Sequence, residues 1–229
     1  MMAVKSFART TFNDVVLAVV AGALRRLAAI AEEECRPLRA MIPVSVRDSA
    51  AAAAGGNRIT FGFVDLPLDE PAAARRLTRV QEQTRELRGD GRIEGGDLLL
   101  KALAATPGVV KNRAARLMAS LRLYNLVVSN VPGPRFDLYA GGARVRAIHP
   151  VIPLSDAHLL SVGVLTYGGT AHFGFYADPT ALPEEVAELP DLLEQSLIGL
   201  EGALMARPRR AAARSRARTG ARHAKSPDA

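Results

Sequence analysis

Three groups of polar residues in this sequence have the types and spacing that chemistry uses. Asn13-Asp14 sets an amide beside a carboxylate directly ahead of the apolar run Val15 to Leu24. At a helix start such a pair either caps unpartnered backbone N–H groups or places two polar groups at a site. Ser129-Asn130-Val131-Pro132-Gly133-Pro134 follows a polar pair with two prolines and a glycine, which suits either a tight turn or a site held on stiff backbone. His149 and His158 flank a segment that contains Asp156. They are either proton-transfer groups near neutral pH or ordinary hydrogen-bonded histidines. Composition and spacing leave both readings open in each case.

The common catalytic signatures are absent. There is no G-x-S-x-G nucleophile elbow, no Walker loop and no G-x-G-x-x-G after a strand, which excludes hydrolases and nucleotide enzymes of the common kinds. The four histidines, His149, His158, His172 and His223, include no His-x-x-x-His pair, and Cys35 is the single cysteine. No disulfide framework and no multi-cysteine metal site can form, no metal is expected, and a reducing cytoplasmic location is the default.

The elements that position these groups can be read from periodicity. Asn13 to Ile30 is a helix apolar on nearly every face, and so a buried one; Pro37 closes it. Met41 to Val46 and Arg58 to Leu66 read as two strands of one sheet. Pro71 opens a helix through Arg88 with Leu77, Val80, Thr84 and Leu87 in one stripe. Asp97 caps a helix from Leu98 to Ala105, and Pro107 starts another through Leu121. Tyr124 to Ser129, Ala143 to Ile148, Leu159 to Tyr167 and Ala171 to Ala177 read as strands, the last two joined by Gly168-Gly169. In the last strand Phe173 and Phe175 face one way and His172, Gly174 and Tyr176 the other. Pro183 opens a terminal amphipathic helix to about Met205, with a kink at Pro190. The fold class is therefore α/β (α+β), a mixed sheet flanked by helices.

The chain has 229 residues, 48% of them apolar, and a mean hydropathy of +0.08, which marks a globular protein. Its net charge of +7 looks like a nucleic-acid signal until it is divided. The segment from Ala206 onward holds eight of the bases and one acid, so residues 1–205 carry 22 of each and are neutral. The division is into a domain, 1–205, and an Arg-rich tail, 206–229, that has no Leu, Ile, Val or aromatic residue. Such a tail is expected to be disordered, and to meet anionic surfaces if it binds anything. The longest apolar run, Val15 to Leu24, is ten residues, half of the roughly 20 a membrane span needs. Asn13-Asp14 before it and Arg25-Arg26 after it speak against a secretory signal.

A resemblance carries the reading further. Asn13 to Ala18 (NDVVLA), Ile42 to Arg47 (IPVSVR), Gly56-Asn57, Asn125 to Pro134 (NLVVSNVPGP), Leu138-Tyr139 with Gly141, and Gly174 to Asp178 stand in this order over residues 5–204. The pattern resembles the C-terminal half of the bacterial wax ester synthase/diacylglycerol acyltransferase family, within the coenzyme A-dependent acyltransferase superfamily. The resemblance implies one lobe of a two-lobed fold, with acyl-CoA and an alcohol meeting in a tunnel between the lobes. It implies a long-chain O-acyltransferase acting on diacylglycerol or a fatty alcohol, with acyl-CoA as substrate and no cofactor. Asn13 and Asp14 would lie near the lobe interface, and Ser129, Asn130 and Gly133 would line the adjoining tunnel, all in support roles. The family's catalytic HHxxxDG motif has no counterpart in this sequence. Losing a general base typically costs ~10²–10⁴-fold, so the isolated chain should be nearly inactive. Its expected partner is an N-terminal lobe carrying HHxxxDG, or a second copy of itself.

Two rival readings remain on sequence grounds. One is a non-catalytic module that binds lipid or a membrane surface, with the 206–229 tail on anionic headgroups of the inner membrane or of lipid droplets. The other, nucleic-acid binding through the tail, is weaker, because the neutral body offers no aromatic stacking platform.

Overall fold

The computed structural model describes residues 1–45, 59–89, 123–154 and 158–223, without the side chains of residues 2, 3, 45, 59 and 207–223. Val46, Arg47, Gly56, Asn57, Asp156 and the helices expected over 98–105 and 107–121 lie outside the described residues.

The chain begins with a short helix that the sequence reading did not anticipate, α1 (Met2–Ala8), which ends at Arg9 in the left-handed region with φ 49°. Helix α2 (Phe12–Ile30) then runs through the core, and every residue from Asp14 to Leu24 is buried. Each of its large aliphatic side chains withdrawn from water contributes about 1.5–3 kcal/mol. That burial explains an uninterrupted apolar run where an amphipathic stripe is usual.

Strands β1 (Leu38–Ser45) and β2 (Ile59–Leu66) form an antiparallel pair. Helix α3 (Ala73–Gly89) follows, burying Leu77, Val80, Thr84 and Leu87 as the spacing predicts. It also buries Arg76, whose Nη1 donates to the Glu70 and Pro71 carbonyls, both at 2.9 Å. Burial, and then the charges of Arg25 and Arg26, push the Arg76 guanidinium below its ordinary range. Strand β3 (Leu126–Pro132) lies parallel to β1 at Leu126 and Val127 and parallel to β6 (Leu160–Tyr167) along its length. A small antiparallel pair, β4 (Tyr139–Ala140) and β5 (Ala143–Arg144), stands apart. Strand β7 (Thr170–Ala177) closes the sheet as a hairpin on β6, through Gly168 and Gly169 at φ 56° and 85°, values that cost a glycine little. The five-stranded order is β2-β1-β3-β6-β7. A 3-10 turn, Glu184–Glu188, leads into α4 (Leu189–His223), which packs on α2 and α3. The mixed sheet covered by helices is the expected fold class.

Four local expectations are corrected. Asn130-Val131-Pro132 belongs to a strand, not a loop. Val131 pairs with Leu165 and Pro132 with Thr166 on the β6 side, while among the described residues β1 pairs with β3 only at Leu126 and Val127, so no described strand calls for an N–H from Pro132 on the other edge. Ala143 to Ile148 is a strand only at Ala143–Arg144. Beyond it Pro150 and Pro153, which cannot donate to a ladder, lie on a segment that crosses the sheet face instead. Pro190 sits in the first turn of α4, where its missing N–H has no partner to lose, so it opens a helix and makes no kink. The terminal helix does not end near Met205; its backbone continues to His223, through a stretch whose many Ala and Arg favour helix although Pro208 and Gly220 within it do not.

The crossing segment is pinned at several points. Tyr167 Oη donates to the Val145 carbonyl at 2.9 Å and accepts from the Leu138 N–H at 2.9 Å. Ser161 Oγ donates to the Ile152 carbonyl at 2.5 Å. Gly163 and Gly174 face each other across β6 and β7. A β-carbon at 163 would lie 2.9 Å from Pro150 Cγ, and one at 174 would overlap the Pro150 carbonyl oxygen. Two glycines in register thus make the saddle over which the segment passes, which accounts for Gly174 in physical terms.

Candidate active site

The head of α2 is assembled around Asp14. Thr11 is the N-cap: its Oγ1 accepts from the Asp14 N–H at 3.1 Å, and Asp14 Oδ2 accepts from the Thr11 N–H at 3.0 Å, a reciprocal capping box. Thr10 Oγ1 donates to the same oxygen at 2.8 Å. The other carboxylate oxygen accepts from Thr84 Oγ1 of α3 at 2.7 Å and lies 3.5 Å from Arg88 Nη2. With four donors around it and 3% exposure, Asp14 joins the α1–α2 turn to α3.

Asn13 points elsewhere. It lines a pocket of about 260 Å³ with Thr11, Ile42, Pro43 and Val44 of β1, Thr84, Leu87 and Arg88 of α3, and Asn130 of β3. Residues 13 and 130, 117 positions apart in sequence, thus contribute two amides to one cavity that the Ile42-Pro43-Val44 stretch also lines. Neither amide hydrogen-bonds to another described side chain, so both are available to a ligand carbonyl or hydroxyl.

The remaining sequence candidates are placed apart from this pocket. Ser129 is buried at 8% exposure, and strand alternation turns it away from the face that Asn130 presents. The Gly133 N–H donates to Thr166 Oγ1 at 3.3 Å, and a β-carbon there would overlap the Thr166 carbonyl oxygen, so this glycine lets the chain leave β3 against β6. His149 is exposed, with Nδ1 3.2 Å from the Phe173 carbonyl and its ring edge-on to His172 at 5.2 Å. His158 is buried, stacked on Tyr124 at 4.1 Å, with Nε2 3.2 Å from the Tyr124 carbonyl. A ring nitrogen facing a carbonyl oxygen must carry the proton. Neither histidine lines the Asn13–Asn130 pocket. Among the described residues no group of three or more His, Cys, Asp or Glu could hold a metal.

Sequence reasoning missed Thr84 and Arg88 at this site. Thr84 was visible only as a polar member of the α3 stripe. No local signal in the sequence distinguishes Arg88 from the other exposed arginines of that helix.

Residues 55–201 match the WS/DGAT C-terminal domain family. The chain belongs to this family. Over 211 residues this WS/DGAT domain is 34% identical to a Mycobacterium tuberculosis protein named as a diacylglycerol O-acyltransferase, covering 88% of the chain and 45% of that protein. An O-acyltransferase of Acinetobacter baylyi is 32% identical over 196 residues, covering 85% of the chain and 42% of the relative. Among solved structures, the wax ester synthase/diacylglycerol acyltransferase of Marinobacter aquaeolei VT8 superposes with a TM-score of 0.66 at 29% identity, over 89% of the chain and 46% of that protein. The epimerization domain from tyrocidine synthetase B shares the fold alone, at TM-score 0.56 and 13% identity. The WS/DGAT domain described here spans about half the length of the curated relatives it matches. Among its described residues no helix is long and apolar enough to cross a membrane.

Proposed function

We propose that this WS/DGAT domain is the C-terminal half of a long-chain O-acyltransferase, transferring acyl groups from acyl-CoA to diacylglycerol or a fatty alcohol without a cofactor. The observation that carries the reading is the convergence of Asn13, from NDVVLA, and Asn130, from SNVPGP, on one pocket of a chain in the WS/DGAT C-terminal family. The Marinobacter protein with the same fold is named a wax ester synthase/diacylglycerol acyltransferase.

The reaction requires a base that takes the proton of the acceptor hydroxyl, whose oxygen then attacks the thioester carbonyl. The C–O bond forms, the C–S bond breaks, and coenzyme A leaves as the thiol once its sulfur is protonated. The pocket offers amides that can hydrogen-bond the reactants, while the described residues that line it include no histidine and no glutamate. An HHxxxDG lobe supplies the base, and the two lobes act as one unit. Phe136 and Tyr139, in the chain after β3, are 69% and 65% exposed, apolar surface that supports a partner lobe. The basic tail brings the assembly to the anionic surface of the inner membrane or of lipid droplets.

The test is to purify the chain alone and together with an HHxxxDG lobe, and to follow thiol release from acyl-CoA with diacylglycerol or a fatty alcohol as acceptor. No transfer above background is expected from the chain alone, and transfer is expected from the mixture. Robust transfer by the single chain, or none with any HHxxxDG lobe, would refute this assignment.

A further inference from the structure

A second concavity adjoins the Asn13–Asn130 pocket. It encloses about 440 Å³ and is lined by Arg9, Thr10, Thr11, Asp14, Gln81, Arg85 and Arg88. Thr11 and Arg88 line both cavities, so the two are neighbours across a shared wall. Gln81, Arg85 and Arg88 stand at i, i+4 and i+7 on α3 and therefore share a face. Arg9 comes from a different element, the left-handed residue that ends α1.

The charge balance of this cavity is unusual for a surface held together by its own ion pairs. Neither Arg9 nor Arg85 pairs with an acid among the described residues, and Arg88 reaches one, Asp14, at 3.5 Å. Asp14 is already occupied by Thr10, Thr11 and Thr84. Glu82 and Glu86 of the same helix do not line the cavity. Among the described residues, three guanidinium groups stand against one carboxylate, an excess of two positive charges that suits a doubly charged phosphate or a pyrophosphate. The neighbouring pocket is different in kind: apart from Arg88 at the shared wall, its lining is aliphatic side chains, two threonines and two amides, suited to an uncharged chain that carries amide groups.

We propose that the phosphate end of the acyl-CoA donor docks on Arg9, Arg85 and Arg88, and that its amide-bearing arm passes Thr11 into the pocket of Asn13 and Asn130. This rests on the acyltransferase reading and assigns the donor's route on this half of the enzyme. The cationic cavity fixes the polar end of the donor, and the shared wall at Thr11 and Arg88 directs the arm toward the face where a second lobe would close.

Calorimetric titration of the full chain with coenzyme A, inorganic pyrophosphate and phosphatidylglycerol vesicles tests the route without relying on turnover. Coenzyme A should bind, and pyrophosphate should compete with it. Arg9→Gln and Arg85→Gln should each weaken both ligands by about tenfold or more, as the loss of a charge-assisted contact implies. Asn13→Ala should weaken coenzyme A and leave pyrophosphate unchanged. Arg135→Gln, an exposed arginine outside both cavities, should change neither. Circular dichroism confirms that each variant is folded. The proposal is overturned if the chain does not bind coenzyme A, if the Arg9 and Arg85 variants bind it as wild type does, or if these arginines govern vesicle binding alone. Acyl transfer restored by an HHxxxDG lobe with unchanged coenzyme A affinity in the variants would remove the docking route and leave the acyltransferase assignment standing.

Discussion

Replacing Asp14 by alanine should separate the architecture of this site from its chemistry. Asp14 accepts from Thr10 Oγ1, the Thr11 N–H and Thr84 Oγ1, and lies 3.5 Å from Arg88. Losing its half of the capping box costs about 1 kcal/mol. The Thr84 hydroxyl, 4% exposed, can turn to the Gln81 carbonyl at 3.2 Å, so its loss lies near the lower end of the usual ~1–3 kcal/mol for a buried group deprived of its partner. Arg88 is half exposed, and its pairing adds at most about 1 kcal/mol after solvent screening. The total is about 2–3 kcal/mol, or about 4–12 °C in Tm for a domain of this size. Asn13→Ala removes no hydrogen bond to a described residue and puts a better helix former at the start of α2, so its Tm should stay within about 2 °C of wild type. In the assay with an HHxxxDG lobe, however, Asn13→Ala should slow transfer by about 5–150-fold, the equivalent of one lost hydrogen bond of about 1–3 kcal/mol. Thermal melts of the two single variants followed by circular dichroism, alongside the transfer assay, read both effects. An Asp14→Ala protein that melts with wild type, or an Asn13→Ala protein that loses as much stability, would refute this division of roles.

Three further outcomes follow from the geometry. Gly174→Ala should destabilise the protein by about 1–3 kcal/mol in urea unfolding, because the new methyl group collides with the Pro150 carbonyl and the crossing segment must shift; an unchanged midpoint would show that the segment is not held there. The Glu70 carboxyl is held below the usual carboxylate range, first by the hydrogen bond from Arg75 and then by that from the Ala72 N–H. Because the folded-state value is depressed, its stabilisation is complete at neutral pH and disappears as acidification carries the group through that lowered value. A Glu70→Gln variant should thus show a shallower loss of Tm than wild type below the ordinary glutamate range, and parallel acid limbs would count against the coupling. Removing residues 207–229, which contain no Leu, Ile, Val or aromatic residue, should change stability by less than about 1 kcal/mol, about 2–4 °C in Tm. The same deletion should abolish the salt-sensitive part of binding to anionic vesicles.

Local periodicity alone determined much of this protein. The apolar run after Asn13-Asp14 could only be a buried helix, the Leu77-Val80-Thr84-Leu87 stripe could only face a core, and Gly168-Gly169 between two apolar alternations could only be a hairpin. These features depend on neighbours within a few positions, which is the range over which side-chain spacing carries information. The tertiary structure decided what such spacing cannot encode. Asn13 and its neighbour Asp14 have opposite fates, one lining a pocket and the other saturated by donors, because Thr84 and Arg88 approach from a helix some seventy residues away. Ser129 and Asn130, adjacent in sequence, are parted by strand alternation once Asn130 is drawn into β3 by pairing with β6. Pro132 was legible as a breaker of ladders, yet it closes a strand, since a proline is excluded only where its N–H would be needed and no described residue of β1 pairs with it. The cationic cavity depends most on the fold. Arg9, Arg85 and Arg88 look like solvated charges in sequence, and only the packing of α1 and α3 on α2 sets them around one space.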